Sequence, residues 1–233
     1  MAMKFHFVNT NEATHIAYKR VLEQVIPGAQ FHNSRIRDIA PTCDTLVSAS
    51  NSRLFFDGGS DLDYIHLFKR PELPTRLKLR EFWHRNPAVF NPKRGAPPFL
   101  PVGAAMRVEI NEKNFVVVPT MALPQPVSDT ENAKHAFKIM LELLDKRPEL
   151  HQNVLVPSFC TGVGRMDASV SALQVAAGWE EHARGIRYDV LYGVLEDLDV
   201  AYDPKVMSLQ PKYYMNSLFM ETAPEDIIPI PRR

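Results

Sequence analysis

The chain has 233 residues, with 27 basic and 27 acidic side chains, a formal net charge of zero at pH 7, and 45% hydrophobic against 23% charged residues. That balance suits a globule able to fill a core, and excludes a general nucleic-acid or membrane-surface binder, which needs a basic excess. No apolar run approaches the roughly 18 to 20 residues of a membrane span, and the start, Met-Ala-Met-Lys-Phe-His, lacks a signal's apolar stretch, so an intracellular, cytoplasmic protein is expected.

Lys4 to Val8, with its Phe and Val, predicts an opening strand. Asn11 is placed to cap a helix running to Val25, whose apolar positions Ile16, Val21, Leu22 and Val25 recur at near-helical spacing before Pro27-Gly28 ends it. Strands are predicted at Phe31 to Ile36 and Thr45 to Ser50. The stretch from Leu67 to Pro101 holds seven prolines and one helix near Arg76 to Arg85, and reads as an insertion. Met106 to Ile110 and Phe115 to Val118 form a strand pair around Asn111 to Asn114. Ser128-Asp129-Thr130-Glu131 has the pattern of a capping box, in which the Ser hydroxyl and Glu carboxylate satisfy free amides at a helix start. Ala133, Phe137, Met140, Leu141 and Leu144 then give that helix an apolar face, stopped at Pro148. Val154 to Val156 is a buried-type strand, and a helix follows from Asp167 to His182. The tail after Pro204 has little periodicity and is expected to pack through its aromatics. Strands separated by such helices call for an α/β domain over residues 1–233, with a mixed, largely parallel sheet and helices on both faces.

Ligands in open α/β folds bind at the carboxyl ends of strands. Two strand ends here carry glycine-bearing loops: Ser50 to Asp61, and Ser158 to Met166. Glycines let backbone amides approach an anion closely, and a helix N-terminus adds favourable partial charge. Neither loop is a Walker A sequence, and no Gly-x-Gly-x-x-Gly is present. A phosphate-type ligand held between the loops is one reading; tight turns that need glycine are the other.

Three segments in order then resemble the macro domains, a family of ADP-ribose-binding α/β/α modules. Ser48-Ala49-Ser50-Asn51-Ser52-Arg53-Leu54-Phe55-Phe56-Asp57-Gly58-Gly59-Ser60-Asp61 is similar to the family's Asn-Ala-Ala-Asn loop, with Asn51 and Asp61 in the family's separation (61 − 51 = 10). Cys160-Thr161-Gly162-Val163-Gly164-Arg165-Met166 is similar to its Gly-Thr-Gly-Val-Gly signature. Arg37-Asp38-Ile39 resembles its Gly-Asp-Ile. The resemblance implies that the chain binds ADP-ribose, or an ADP-ribosyl group on a protein or small molecule, and hydrolyses ADP-ribosyl or acyl-ADP-ribose ester linkages. It implies that Asp38 meets the adenine amino group and Asn51 the distal ribose. Gly58, Gly59 and the run Thr161 to Arg165 would offer amides to the two phosphates, and Ser50 and Ser60 are implied ligand-binding residues beside them.

Asn51 and Asp61 are the implied catalytic residues, with the Asp61 carboxylate orienting or deprotonating a water; the alternative for Asp61 is a helix N-cap, a role Asp63 also fits. Asp57 is a rival base. Ser48 stands where many members have their first Asn, Phe56 and Asp57 replace two glycines, and Met166 replaces an aromatic beside the distal ribose. Arg53 and Arg165 are candidates to offset the charge of Asp57. Phe56 and Phe159 are candidate stacking surfaces or core. Cys160 has no base at recognisable spacing and reads as a small buried residue. The two cysteines form no Cys-x-x-Cys pair, and the eight histidines no His-Glu-x-x-His, so no metal and no cofactor is expected. His66 lies one helical turn beyond Asp61. Two rival functions are a reader that binds without turnover, and a scaffold whose insertion and tail (Tyr213, Tyr214, Phe219) bind a protein partner.

Overall fold

The computed structural model describes residues 3–56, 58–85, 99–187, 191–193, 197–203 and 205–206. The elements in chain order are β1 (Lys4–Asn9), α1 (Glu12–Leu22), β2 (Gln30–Asn33), α2 (Ile36–Ile39), β3 (Thr45–Ser48), α3 (Asp61–Phe68), α4 (Glu72–Arg85), β4 (Ala104–Ile110), β5 (Lys113–Val117), α5 (Asn132–Leu144), β6 (Asn153–Pro157), α6 (Ala168–Ala183), β7 (Leu191–Gly193) and β8 (Asp197–Tyr202). The strands form one sheet in the order β2-β1-β6-β3-β5-β4-β8-β7. From β2 to β5 every pairing is parallel, and from β5 to β7 every pairing is antiparallel. The chain is thus an α/β protein with a mixed, largely parallel sheet, as the alternation of strand and helix signals predicts.

Period-two alternation sends successive side chains to opposite faces of the sheet. Phe5, Phe7, Val47, Val116, Val154 and Val156 join Tyr18 and Leu22 of α1, Phe137 and Met140 of α5, and Val175 of α6 in one buried cluster. Val8, Leu46, Phe115, Val117 and Leu155 join Ile36 of α2, Tyr64 of α3, and Leu79 and Phe82 of α4 in another. One layer of helices therefore covers each face.

Several boundaries differ from the sequence reading. The predicted strand Phe31 to Ile36 stops at Asn33, and Ile36 opens α2. Asp38 turns the chain there: its Oδ2 accepts from the Ser34 hydroxyl at 3.0 Å and the Arg35 amide at 3.3 Å. The expected Ser128–Glu131 capping box does not form, because α5 begins at Asn132 and Glu131 makes no capping bond. Residues 127–130 are a turn docked on the second loop, with the Val127 amide on the Gly164 carbonyl (2.8 Å) and the Thr130 hydroxyl on the Val127 carbonyl (2.8 Å). Helix α4 starts at Glu72 and tolerates Pro74 in its first turn, where no intrahelical amide bond is made. Residues 86–98 of the expected insertion, and the tail beyond residue 206, lie outside the described residues. The 104–117 pair is a hairpin whose turn, Asn111-Glu112, has positive φ at both positions (50° and 61°), the conformation tight hairpins require.

Strands β7 and β8 have no counterpart in the sequence reading. Acidic residues interrupt the apolar alternation of β8. Asp199 nonetheless sits in the sheet because Arg107 of the neighbouring strand holds it at 2.6 Å.

Candidate functional site

Strands β3 and β6 are adjacent and parallel, so their carboxyl ends, and the two glycine-bearing loops, leave the sheet on the same side. The first loop is pinned at its start. Asn51 bridges Met121, the Ser52 amide donates to the Met121 carbonyl (2.9 Å), and the Thr120 amide donates to the Ser50 carbonyl (2.9 Å). The Asn51 side chain is turned into its own loop: Oδ1 accepts from the Arg53 and Phe55 amides (3.0 and 3.3 Å), and Nδ2 donates to the Phe55 carbonyl (3.1 Å). This is the Asx-type closure that asparagine favours after a strand. Leu54 and Phe56 are buried in the core under the loop, and Phe56 packs on Phe115. Asp57 lies outside the described residues.

The chain then rises through Gly58 and Gly59 into α3. Gly59 has φ +60°, and a Cβ added at Gly58, Gly59 or Gly162 would meet nothing within 4 Å. These backbones face open space.

The second loop is held from below by a closed hydrogen-bond ring. The Phe159 amide donates to Tyr18 Oη (2.8 Å), and Ser171 Oγ donates to the Phe159 carbonyl (2.6 Å). With its proton committed there, Ser171 accepts from Tyr18 Oη at 2.6 Å. Phe159 is thereby fully buried, its ring edge-on to Phe137, and it presents no stacking surface. Cys160 takes a positive φ of 61°, and its carbonyl accepts from the Met166 amide (3.0 Å), which closes the loop. Gly164 is indispensable to that closure: a Cβ there would overlap the Cys160 carbonyl oxygen and come within 2.9 Å of Val127 Cγ2.

Between the loops lie two adjoining cavities that share Gly59, Ser60, Ser158 and Gly162. The smaller, about 120 Å³, is also lined by Ser50, Asn51, Gly58, Asp61, Cys160, Val163 and Gly164. The larger, about 600 Å³, takes in Thr161 together with Asn9, Ser34, Arg35, Ile36, Asp63 and His66. Among the described residues, the amides of Gly59, Ser60, Gly162 and Val163 donate no hydrogen bond. Two sets of open donors thus border one space.

Asp61 is the carboxylate of the smaller cavity. It is 8% exposed, and its Oδ1 accepts from the buried Ser48 hydroxyl at 2.8 Å. It does not act as the N-cap of α3; Ser60 occupies that position, without a side-chain bond. Asp63 does no capping of α3 either: its Oδ2 takes the Ile36 amide at 3.1 Å, joining α3 to α2. Ser50 Oγ is buried beside the cavity with no hydrogen-bond partner among the described residues. Burial pushes the Cys160 thiol up to about 12, against a weaker opposing effect of its bond to Thr120. A thiol held protonated at neutral pH is a poor nucleophile.

Ten of the residues singled out in the sequence therefore line the smaller cavity, and Thr161 the larger. Asp38, Phe159, Arg165 and Met166 line neither. Asp38 is exposed and occupied in capping α2, Arg165 is exposed, and Met166 is buried in the core. Sequence reasoning missed Thr120, Met121, Asn9, Ser34 and Arg35. Each lies at or just past the carboxyl end of a parallel strand, so the strand-end rule extended to β1, β2 and β5 would have found them. No protein-family model matches the chain, and no curated protein matches it at significant similarity.

Proposed function

We propose that this chain binds ADP-ribose, or an ADP-ribosyl group carried by a protein or small molecule, and hydrolyses the ester that attaches it. The observation that carries the reading is the meeting of two glycine loops, with unengaged amides, on one cavity that also holds a buried carboxylate. Amides of this kind suit a diphosphate, since they offer donors without the desolvation of a lysine or arginine. The macro-like order of the motifs supports the same ligand. In the hydrolytic step, Asp61 takes a proton from a water that attacks the distal ribose carbon or the acyl carbon, the bond to the leaving oxygen breaks, and the proton passes from Asp61 to that oxygen, restoring the carboxylate.

The test pairs a binding and a release measurement. Calorimetry of the folded protein should detect ADP-ribose, and Asp61→Asn should keep that affinity within about three-fold while release from a modified substrate falls about 10²–10⁴-fold. Unchanged release would show that Asp61 is not the base.

A second reading, a reader without turnover, is favoured by the Asn51 side chain, whose oxygen already serves two loop amides. Release of ADP-ribose by the wild-type protein would dismiss it.

A further inference from the structure

We propose that Ser48 is the positioning residue of Asp61, its hydroxyl fixing the carboxylate at the end of β3. The proposal rests on the hydrolytic reading above. Ser48 is 0% exposed, and its own carbonyl is committed to the Val118 amide at 2.9 Å, so its side chain has little freedom. Its hydroxyl lies 2.8 Å from Asp61 Oδ1. An ionised carboxylate only accepts, so the proton of this bond belongs to Ser48.

One helical turn on, the Tyr64 hydroxyl donates to the carbonyl of Val47, the residue before Ser48. Two consecutive strand residues thus hold the first turn of α3. The Tyr64 bond sets the helix on the strand, and the Ser48 bond sets the rotation of the carboxylate. A donor aimed at the charged form of an acid lowers its basicity and holds it ready as a base at lower pH. Orientation of the attacking group adds to the rate without contributing to ground-state affinity.

Two titratable neighbours of Asp61 do not change charge in this range. Tyr64 is raised well above 10, chiefly by burial, and Cys160 to about 12, so both stay neutral over the working range. Asp63 is engaged with the Ile36 amide and, at 4.0 Å, with Arg37. The loop leading into α3 adds Arg53, which is buried.

The experiment is the pH profile of ADP-ribose release by wild type, Ser48→Ala, Ser48→Cys and Asp61→Asn, with thermal melts to confirm folding. Loss of a hydrogen bond to a charged group should move the acid limb of Ser48→Ala up by about one pH unit. Its kcat should fall about ten-fold, with KM within about two-fold of wild type. Ser48→Cys, with the same shape and a weaker donor, should shift in the same direction by less. A merely structural role would lower the melting temperature and leave the acid limb in place. Either folded variant with the wild-type kcat and acid limb, beside an inactive Asp61→Asn, overturns the proposal and leaves the hydrolytic reading standing. A wild-type protein that releases no ADP-ribose overturns the hydrolytic reading, and the proposal with it.

Discussion

Gly164 shows what a single residue does for this site. Its carbonyl accepts the Val127 amide, and its missing Cβ leaves room for the Cys160 carbonyl and the Val127 side chain. The atoms in the way include backbone, which does not rotate aside as a flexible side chain would. Gly164→Ala should therefore destabilise the fold by about 1–3 kcal/mol, lowering the melting temperature by roughly 2–12 °C, and should weaken ADP-ribose binding. Gly162→Ala, where the added methyl meets nothing within 4 Å, should cost little stability. Equal melting temperatures for the two variants would contradict this account of the loop. That both glycines belong to a loop at a strand end is legible in the residues themselves, because their loop directly follows a buried-type strand. Their different duties are not, since the one that packs and the one that faces space read alike until the neighbours are known.

The same limit holds for whole elements. A hydroxyl at residue 18 of α1 says nothing of residue 159, yet Tyr18 Oη is the sole acceptor shown for the Phe159 amide and the donor to Ser171 of α6. The three residues bind the second loop to two helices. Tyr18→Phe leaves the Phe159 amide without its acceptor in the core and should cost about 1–3 kcal/mol. Hydrogen exchange at the Phe159 amide should accelerate more than at the amides of β1, and uniform acceleration would argue against a local role. Parallel strands and amphipathic helices were legible because burial on one face leaves a periodic pattern. Strand β8 was not, because its Asp199 is matched by Arg107 on β4, a partner far away in the chain. The Ser128–Glu131 segment misled for a related reason. Its local pattern fits a helix start, but docking of Val127 on the second loop holds the segment in a turn.

At the scale of the molecule, several histidines are buried neutral on the described part of the sheet and its helices. Burial, with Arg107 adding to it, holds His151 down at about 4, and the residue is 1% exposed. The Thr45 hydroxyl donates to Asp44 at 2.9 Å, so His151 Nδ1, 2.7 Å away, supplies the proton of the bond between them. His6, His32 and His135 are also lowered, each first by burial. A histidine whose folded-state pKa is depressed stabilises the fold fully above 6.5, the unfolded value, and loses that contribution as pH falls below it. For His151 the loss runs from pH 6.5 to about 4 and is on the order of 3 kcal/mol. The denaturation midpoint should fall between pH 7 and pH 5, and the slope should flatten in His151→Asn. An equally steep fall in that variant would assign the effect elsewhere.

A ligand gripped by both loops at once perturbs both sets of amides, which an amide spectrum reads residue by residue. Titration of ¹⁵N-labelled protein with ADP-ribose should move the signals of Gly58, Gly59 and Ser60 and those of Gly162, Val163 and Gly164 along a single saturating curve. Shifts confined to one loop, or none at millimolar ligand in folded protein, would contradict a grip by both loops.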